Sequence, residues 1–329
     1  MFHKILVPLD GSPLAERAIP HAVHFAQVFN AQLIFLQVLD PFSHPDAPHA
    51  IEPLGWQIRK SEAEIYLKNI AAHLGEHGLQ TDFALREGKS AEYIIEFAHT
   101  NNVDLVVLTT HGASGLSRWG TSSIVHKVIS KVDLPVLLIR SYQSTDFEED
   151  GSGGKDAPHE IKEVNYRRIL LPIDTSRRAE CALPAAISLA QGGAQIIFAA
   201  VIQPPVLPVP APYPEEVTTL LDRFMRISYD AVNIYLEEQT TRLSIPVKTR
   251  VVESGSISAS IHELASSEDV DLVILSAHGQ TGGTYWPYGS VVRNYIEHGE
   301  RTLLVIQDVP HSQLHQTAAE IAAERYGHR

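Results

Sequence analysis

The chain has 329 residues, of which 44% are hydrophobic and 20% charged, and this composition indicates two ordinary soluble domains of roughly 150 residues each. The net charge of −13 argues against non-specific nucleic-acid binding, and the single cysteine excludes an intramolecular disulfide. The sequence contains neither a signal-like segment nor an apolar run of the roughly 18 residues that a membrane span needs, so we expect a cytoplasmic protein.

In the first half of the chain, short apolar runs alternate with amphipathic stretches. The apolar runs predict strands over 4–9, 32–39, 80–86, 105–109 and 136–140. Helical periodicity predicts helices over 15–29, 54–77, 91–101 and 123–130. The proline-rich residues 40–54 are predicted to form a loop.

The second half follows the same order. Its predicted strands are 169–173, 195–201, 247–252, 272–275 and 302–307, and its predicted helices are 179–191, 214–242, 258–266 and 290–298. Strands without polar alternation, separated by helices, are typical of a parallel sheet covered on both faces. Each half is therefore predicted to be a doubly wound, five-stranded α/β domain.

The two halves also repeat each other in sequence. HKILVPLDG at 3–11 corresponds to RRILLPIDT at 167–175, and DLVVLTTHG at 104–112 corresponds to DLVILSAHG at 271–279. Such a repeat indicates two copies of one domain. We predict a first domain, an acidic and glycine-rich flexible linker, a second domain and a C-terminal tail over 1–142, 143–165, 166–308 and 309–329.

The acid that follows the first strand of each copy, Asp10 or Asp174, is the first candidate ligand group. In open α/β sheets, ligands bind beyond the carboxyl ends of the strands, which is where these acids fall. A carboxylate there can accept hydrogen bonds from ribose hydroxyls or hold a metal beside phosphates. It can equally cap the helix that follows.

The second candidate is the stretch after the fourth strand. In the second copy, nine residues separate Gly279 from Gly289, and the helical pattern begins at Ser290. Glycines let backbone amides approach phosphate oxygens, and a helix N-terminus offers unpaired N–H groups with a partial positive charge. Ser290 either adds a hydroxyl donor or is the helix N-cap. The stretch therefore predicts a phosphate site.

Both halves resemble the universal stress protein family, a branch of the adenine-nucleotide α-hydrolase-like fold. The resemblance rests on the ILVPLD and ILLPID openings, the Gly88 and Gly255 turns, the His-Gly ends of strand four and GLSRW at 115–119. It covers everything but the linker and the tail. Members of the family that bind ATP carry the motif Gly-x2-Gly-x9-Gly-(Ser/Thr).

The resemblance implies that Asp174 of the second copy binds the ribose and that the backbone of Val201 meets the adenine. The full set of cofactor-binding positions that it implies in this copy is Pro172, Asp174, Val201, Ser276, Gly279, Gly289, Ser290 and Val291. The first glycine of the motif falls on Ser276, which is a departure, whereas Gly279 and Gly289 are intact.

The first copy departs further from the motif. Its corresponding positions are Pro8, Asp10, Val38, Thr109, Gly112, Ser122 and Ser123. Ser122 replaces the glycine nearest the phosphates, where its Cβ would block close approach or its hydroxyl would serve as a substitute donor. We therefore predict ATP binding, with magnesium, mainly in the second copy, and weaker or no binding in the first.

Three further features have more than one interpretation. His111 and His278 hold equivalent loop positions, as polar anchors or as ligand contacts. Cys181 is expected to pack in the core. The aromatic cluster at 285–288 either shields a ligand or a partner surface or packs its own loop, and we favour packing. No metal site within the protein is predicted.

The sequence lacks a nucleophile–base motif and a Walker lysine, so we expect at most slow ATP hydrolysis. The favoured function is an ATP-binding regulatory or stress-response protein. The alternatives are a scaffold of two domains that binds partner proteins rather than nucleotide, and a small-ligand sensor in the first copy. Family dimers pair through the last strand, here 135–140 and 302–307, so we expect an internal pseudo-dimer, a homodimer or both.

Overall fold

The computed structural model describes residues 1–41, 53–111, 121–140, 163–208, 212–280 and 287–308. One compact unit includes Met1–Asn165, and a second consists of Tyr166–Gly282 with Tyr288–Asp308. Most of the predicted loop over 40–54, the linker and the tail lie outside the described residues. No helix in the described ranges combines the length and apolarity that crossing a bilayer would demand.

The described part of the first unit alternates strands and helices. The strands are β1 (Lys4–Leu9), β2 (Gln32–Leu39), β3 (Thr81–Glu87), β4 (Leu105–Thr109) and β5 (Val136–Ile139). The helices are α1 (Pro13–Glu16), α2 (Ala18–Phe29), α3 (Pro53–Glu76), α4 (Ser90–Thr100) and α5 (Ser123–Ile129). The strands pair in parallel in the order β3-β2-β1-β4-β5.

The second unit repeats this order. Its strands are β6 (Arg168–Pro172), β7 (Gln195–Ile202), β8 (Val247–Glu253), β9 (Leu272–Ser276) and β10 (Thr302–Ile306). Its helices are α6 (Leu183–Ala190), α7 (Glu215–Thr241), α8 (Ile257–Ser267) and α9 (Ser290–His298). The parallel order β8-β7-β6-β9-β10 matches that of the first unit strand for strand. The predicted doubly wound α/β fold is confirmed.

The first helical segment of each unit is broken where the sequence predicts one continuous helix. α1 ends at Glu16 and α2 begins at Ala18, while a 3-10 turn over Ala179–Ala182 precedes α6. Pro20 and Pro184 hold equivalent positions just after the breaks. A proline has no amide hydrogen to donate and its ring crowds the carbonyl four residues earlier, so an uninterrupted helix is disfavoured at both places.

The repeated aspartate before the fourth strand is structural. Asp104 Oδ2 accepts hydrogen bonds from the amides of His3 and Lys4 at 2.8 and 3.0 Å. Asp271 Oδ2 accepts the same pair from the amides of 167–168 at 2.7 and 2.8 Å. These bonds tie the first and fourth strands together at their amino ends. The carboxyl ends of the same strands lead into the loops that carry the candidate ligand groups.

Candidate functional site

Asp174 joins the loop after β6 to the loop after β9. Its Oδ1 accepts hydrogen bonds from the amide and hydroxyl of Ser176 at 3.0 and 2.5 Å, and its Oδ2 accepts one from the amide of Gln280 at 2.6 Å. Neither Asp174 nor Asp10 is the N-cap of the helix that follows, and Ser12 caps α1. The carboxylate of Asp174 is exposed, so it has room to meet a ligand.

The position of the Asp174 carboxylate leaves no room for a side chain at residue 279, which is a glycine. A Cβ at Gly279 would overlap Asp174 Oδ2, although the backbone of Gly279 is not in the left-handed region. The sequence interpretation assigned this glycine to close phosphate approach. The structure adds a second reason, because only a residue without a side chain lets the β9 loop come down onto Asp174.

Gly289 is the N-cap residue of α9 and leaves the first turn of that helix without a side-chain cap. Its amide donates to the carbonyl of Ala277 at 2.7 Å, and a Cβ there would lie 3.3 Å from that oxygen. Ser290 is the first helical residue and is exposed, whereas Val291 is half-buried. The amides of this turn therefore keep the donors and partial positive charge of a helix N-terminus.

The first unit differs at this point. Ser122 is the N-cap of α5, and its Oγ accepts a hydrogen bond from the amide of Val125 at 3.3 Å. Its own amide donates to Thr110 O at 2.8 Å, as Gly289 donates to Ala277. The sequence suggests two roles for Ser122, a Cβ that blocks phosphate approach or a substitute donor, and the structure shows a third: the hydroxyl caps α5 and engages one amide of its first turn. Gly112 lies outside the described residues.

The departure from glycine at Ser276 and Thr109 has a structural explanation. Ser276 Oγ donates to the carbonyl of His278, and Thr109 Oγ1 donates to the carbonyl of His111, each at 2.8 Å. Each hydroxyl thus holds the tight turn that ends the fourth strand in its unit.

A buried hydrogen bond anchors His278. Its Nδ1 lies 2.8 Å from Oδ1 of Asp308, and both side chains are almost fully buried. Arg178 approaches the other oxygen of Asp308 at 3.5 Å. Of its two interpretations, His278 is thus a polar anchor beside Gly279. Sequence reasoning missed Asp308, whose one available signal was a charged residue directly after the last strand.

His111 in the first unit has different surroundings. Its Nδ1 lies 3.1 Å from the hydroxyl of Thr110. Burial, and then the charge of Arg140, lowers the pKa of His111, so the ring is neutral at pH 7. The two histidines occupy the same turn, and the contacts differ: His111 meets the hydroxyl of Thr110, whereas His278 meets the carboxylate of Asp308.

The apolar positions of the predicted site lie toward the carboxyl ends of neighbouring strands. Pro172 is the last residue of β6, and Val201 lies near the end of β7, where it pairs with Val252. Pro8 and Val38 hold the corresponding places on β1 and β2. Backbone groups of the second strand are therefore available at the same edge of the sheet as the aspartates.

Two aromatic residues of the second unit lie near the site, Tyr288 buried and Tyr235 half-buried. Tyr288 precedes Gly289 and is only 2% exposed, as expected for packing, while 281–286 lie outside the described residues. The hydroxyl of Tyr235 donates to Glu180 Oε1 at 2.9 Å. Burial, and then Glu180 and Asp174, raises the pKa of Tyr235, so it stays a neutral donor.

Cys181 lies on the 3-10 turn over Ala179–Ala182, which packs against β9. The thiol is half-buried and its Sγ lies 3.5 Å from Oγ of Ser276. Burial raises the pKa of the thiol, so it is protonated at neutral pH. A protonated, partly covered thiol is a poor nucleophile.

Comparison with known proteins decides the family. The model of the universal stress protein family matches residues 1–140 and 165–307. The chain belongs to this family. Because the match falls in two separate regions, the chain carries two universal stress protein domains in tandem.

Single-domain relatives align with about half of the tandem chain. A universal stress protein of Methanocaldococcus jannaschii is 32% identical over 142 residues, which are 43% of this chain and 83% of that protein. One of Bacillus subtilis is 31% identical over an alignment of 150 residues that covers 43% of this chain and all of that protein.

Solved structures match the whole tandem fold. A universal stress protein of Archaeoglobus fulgidus covers 93% of this chain and 98% of its own, with a TM-score of 0.59 and 16% identity. A protein of Pseudomonas aeruginosa covers 98% of both chains, with a TM-score of 0.65 and 14% identity. At these identities the likeness concerns the fold alone.

Proposed function

We propose that this universal stress protein binds ATP mainly in its second domain and acts as a regulatory protein. The observation that carries the proposal is a difference between two helix N-termini. The first turn of α9, after Gly289, has no side-chain cap, whereas Ser122 caps the first turn of α5. Phosphate oxygens need exposed amide donors and no intervening Cβ, and the second domain offers both.

The remaining groups fit an adenine nucleotide. The exposed carboxylate of Asp174 is held in place by three donors, and its remaining lone pair suits a ribose hydroxyl. The backbone of Val201 would meet the adenine edge, with Pro172 beside it. Gly279, Ser290 and Val291 would supply amides and a hydroxyl to the phosphates, and Gly289, whose own amide donates to Ala277, would leave no Cβ in their way. Ser276 holds the turn that positions them.

Magnesium would arrive with the nucleotide, held mainly by its phosphate oxygens. Among the described residues, no group of three or more His, Cys, Asp or Glu side chains is placed to hold a metal ion. His278, the histidine next to the loop, is committed to Asp308. The described site thus presents no poised general base, which is why we propose slow hydrolysis at most.

The first domain retains part of the site. Asp10 Oδ1 accepts a hydrogen bond from the amide of Ser12 at 2.9 Å, as Asp174 does from Ser176. With Ser122 in the glycine position, we propose that ATP binds there weakly or not at all. A universal stress protein 20% identical over 43% of this chain is solved in complex with cAMP, but its TM-score of 0.34 carries no ligand over to this chain.

The test is calorimetric titration of the full chain with ATP and Mg²⁺. We expect about one site per chain, which Asp174→Ala removes and the matched variant Asp10→Ala preserves. Two equal sites, or loss through Asp10→Ala instead, would refute the domain preference. Mass spectrometry of protein purified without added nucleotide is a second test: protein that carries no nucleotide and shows no thermal shift at millimolar ATP favours the scaffold function.

The quaternary structure and the cellular location of the protein stay predictions. Pairing of the last strands, over 135–140 and 302–307, would give an internal pseudo-dimer or a homodimer. A cytoplasmic location is inferred from the composition and the lone cysteine.

A further inference from the structure

Most of helix α7 lies away from the core of its domain. Its 27 residues include only two buried side chains, Leu236 and Gln239, both in the last quarter of the helix. None of the residues 215–234 is buried, a length of roughly 30 Å at 1.5 Å per residue. Most helices in proteins are stabilised by packing of an apolar face, so a long exposed helix of this kind calls for a partner.

The exposed part of α7 carries an apolar stripe. Its members follow one another at steps of four, three, four and three residues: Leu220, Phe224, Ile227, Ala231 and Ile234. The four large side chains are between 50% and 65% exposed. The side chains that face the domain are different ones, such as Leu221, Met225 and Leu236. Alternating steps of three and four are the heptad spacing of a coiled-coil seam. We call these five residues the α7 stripe.

Charges beside the stripe make it self-complementary. Arg223 and Asp230 are both exposed, and neither forms an ion pair within the described ranges. In an antiparallel pair of two α7 helices, Phe224 of one copy faces Ile227 of the other. That register places Arg223 opposite Asp230 of the second copy, and twofold symmetry makes this contact twice. The same register sets the large Leu220 against the small Ala231.

We propose that the α7 stripes of two copies of this chain pair antiparallel, so that the protein forms a homodimer through a two-helix coiled coil. A contiguous apolar surface of this kind on a soluble protein marks an interaction site. A second copy is the favoured occupant, because the Arg223–Asp230 contact and the fit of Leu220 against Ala231 each occur twice across the twofold axis at the centre of the stripe. This dimer is independent of nucleotide binding and of the predicted pairing of last strands.

The first test is sedimentation velocity of the full chain over a range of concentrations. The double variant Phe224→Glu/Ile227→Glu should raise the dimer dissociation constant at least roughly 100-fold, since it puts charges in the centre of the seam. The matched control is Ile58→Glu/Ile65→Glu on α3, where the two isoleucines are 51% and 58% exposed. It should leave the dissociation constant unchanged. Equal association of both variants and the unaltered chain would overturn the proposal.

A charge swap tests the register. Arg223→Asp alone should weaken the dimer about tenfold, because both symmetric contacts become repulsive. Arg223→Asp/Asp230→Arg restores opposite charges across the interface and should return the affinity to within about twofold of the original. Failure of the swap to rescue would exclude this register. If the full chain is monomeric and becomes dimeric only with Leu314→Glu/Ile321→Glu, the C-terminal tail covers the stripe and the proposal is wrong.

Discussion

Replacing Gly279 by alanine is the sharpest probe of the nucleotide site, because the structure says which atom the new methyl group meets. That atom is Oδ2 of Asp174, which accepts the 2.6 Å hydrogen bond from Gln280. Either the carboxylate rotates away or the loop after β9 retreats, and both break this bond. In either case Asp174 no longer stands where it would accept a hydrogen bond from the ribose, and such a bond to a charged acceptor contributes about 1.5–3 kcal/mol. We therefore expect ATP affinity to fall roughly 10- to 100-fold.

The measurement is calorimetric titration, and Gly255→Ala is the matched control, because a Cβ at Gly255 meets nothing within 4 Å. A second check uses the free energy of unfolding. Gly279→Ala should destabilise the unaltered chain but cost little in an Asp174→Ala background, where the clash is gone. Normal ATP affinity with Gly279→Ala, or an equal loss of stability in both backgrounds, would refute the reasoning.

Three further substitutions test other contacts. Asp308→Ala leaves a buried histidine and Arg178 without their carboxylate, and should reduce the urea-measured unfolding free energy by about 3 kcal/mol; an effect near zero would contradict the anchor. Ser122→Gly frees an amide of α5 and should increase ATP binding to the first domain, measured by calorimetry in an Asp174→Ala background; unchanged binding would count against the capping argument. Hydrogen bonds from Lys248 and then Arg250 lower the pKa of Glu268, so its contribution to stability is present above the unfolded glutamate pKa and lost as the pH falls. Glu268→Gln should therefore lower the melting temperature slightly at pH 7, and the difference should shrink below about pH 4; a difference that grows in acid would reverse the sign.

Much of the fold could be predicted because apolar periodicity is local. The predicted strands over 4–9, 32–39 and 105–109 coincide with β1, β2 and β4. The breaks after Glu16 and before α6 also had a signal in the sequence, namely the prolines at the equivalent positions 20 and 184. The helices were predicted from apolar periodicity alone, which does not take the missing proline amide into account.

The side-chain pairs of the site were less predictable. His278 was singled out by its place in the repeat, yet its partner Asp308 is 30 residues away in sequence. Nothing in either local segment indicates that parallel strands bring the two together. Likewise, the sequence suggested that Ser122 blocks a phosphate or donates to it, and only the backbone geometry at the start of α5 shows that it caps this helix.

The sequence by itself determined that the chain holds two copies of one α/β domain, and that the second copy keeps more of the glycine motif. These properties depend on residue type and spacing, which are visible along the chain. The tertiary structure decided which groups meet: Gly279 lies against Asp174, Asp308 secures His278, and the α7 stripe is left outside the core. Such contacts depend on how segments that are far apart in the sequence pack together. The separation of two residues along the chain does not tell how close they lie in the fold.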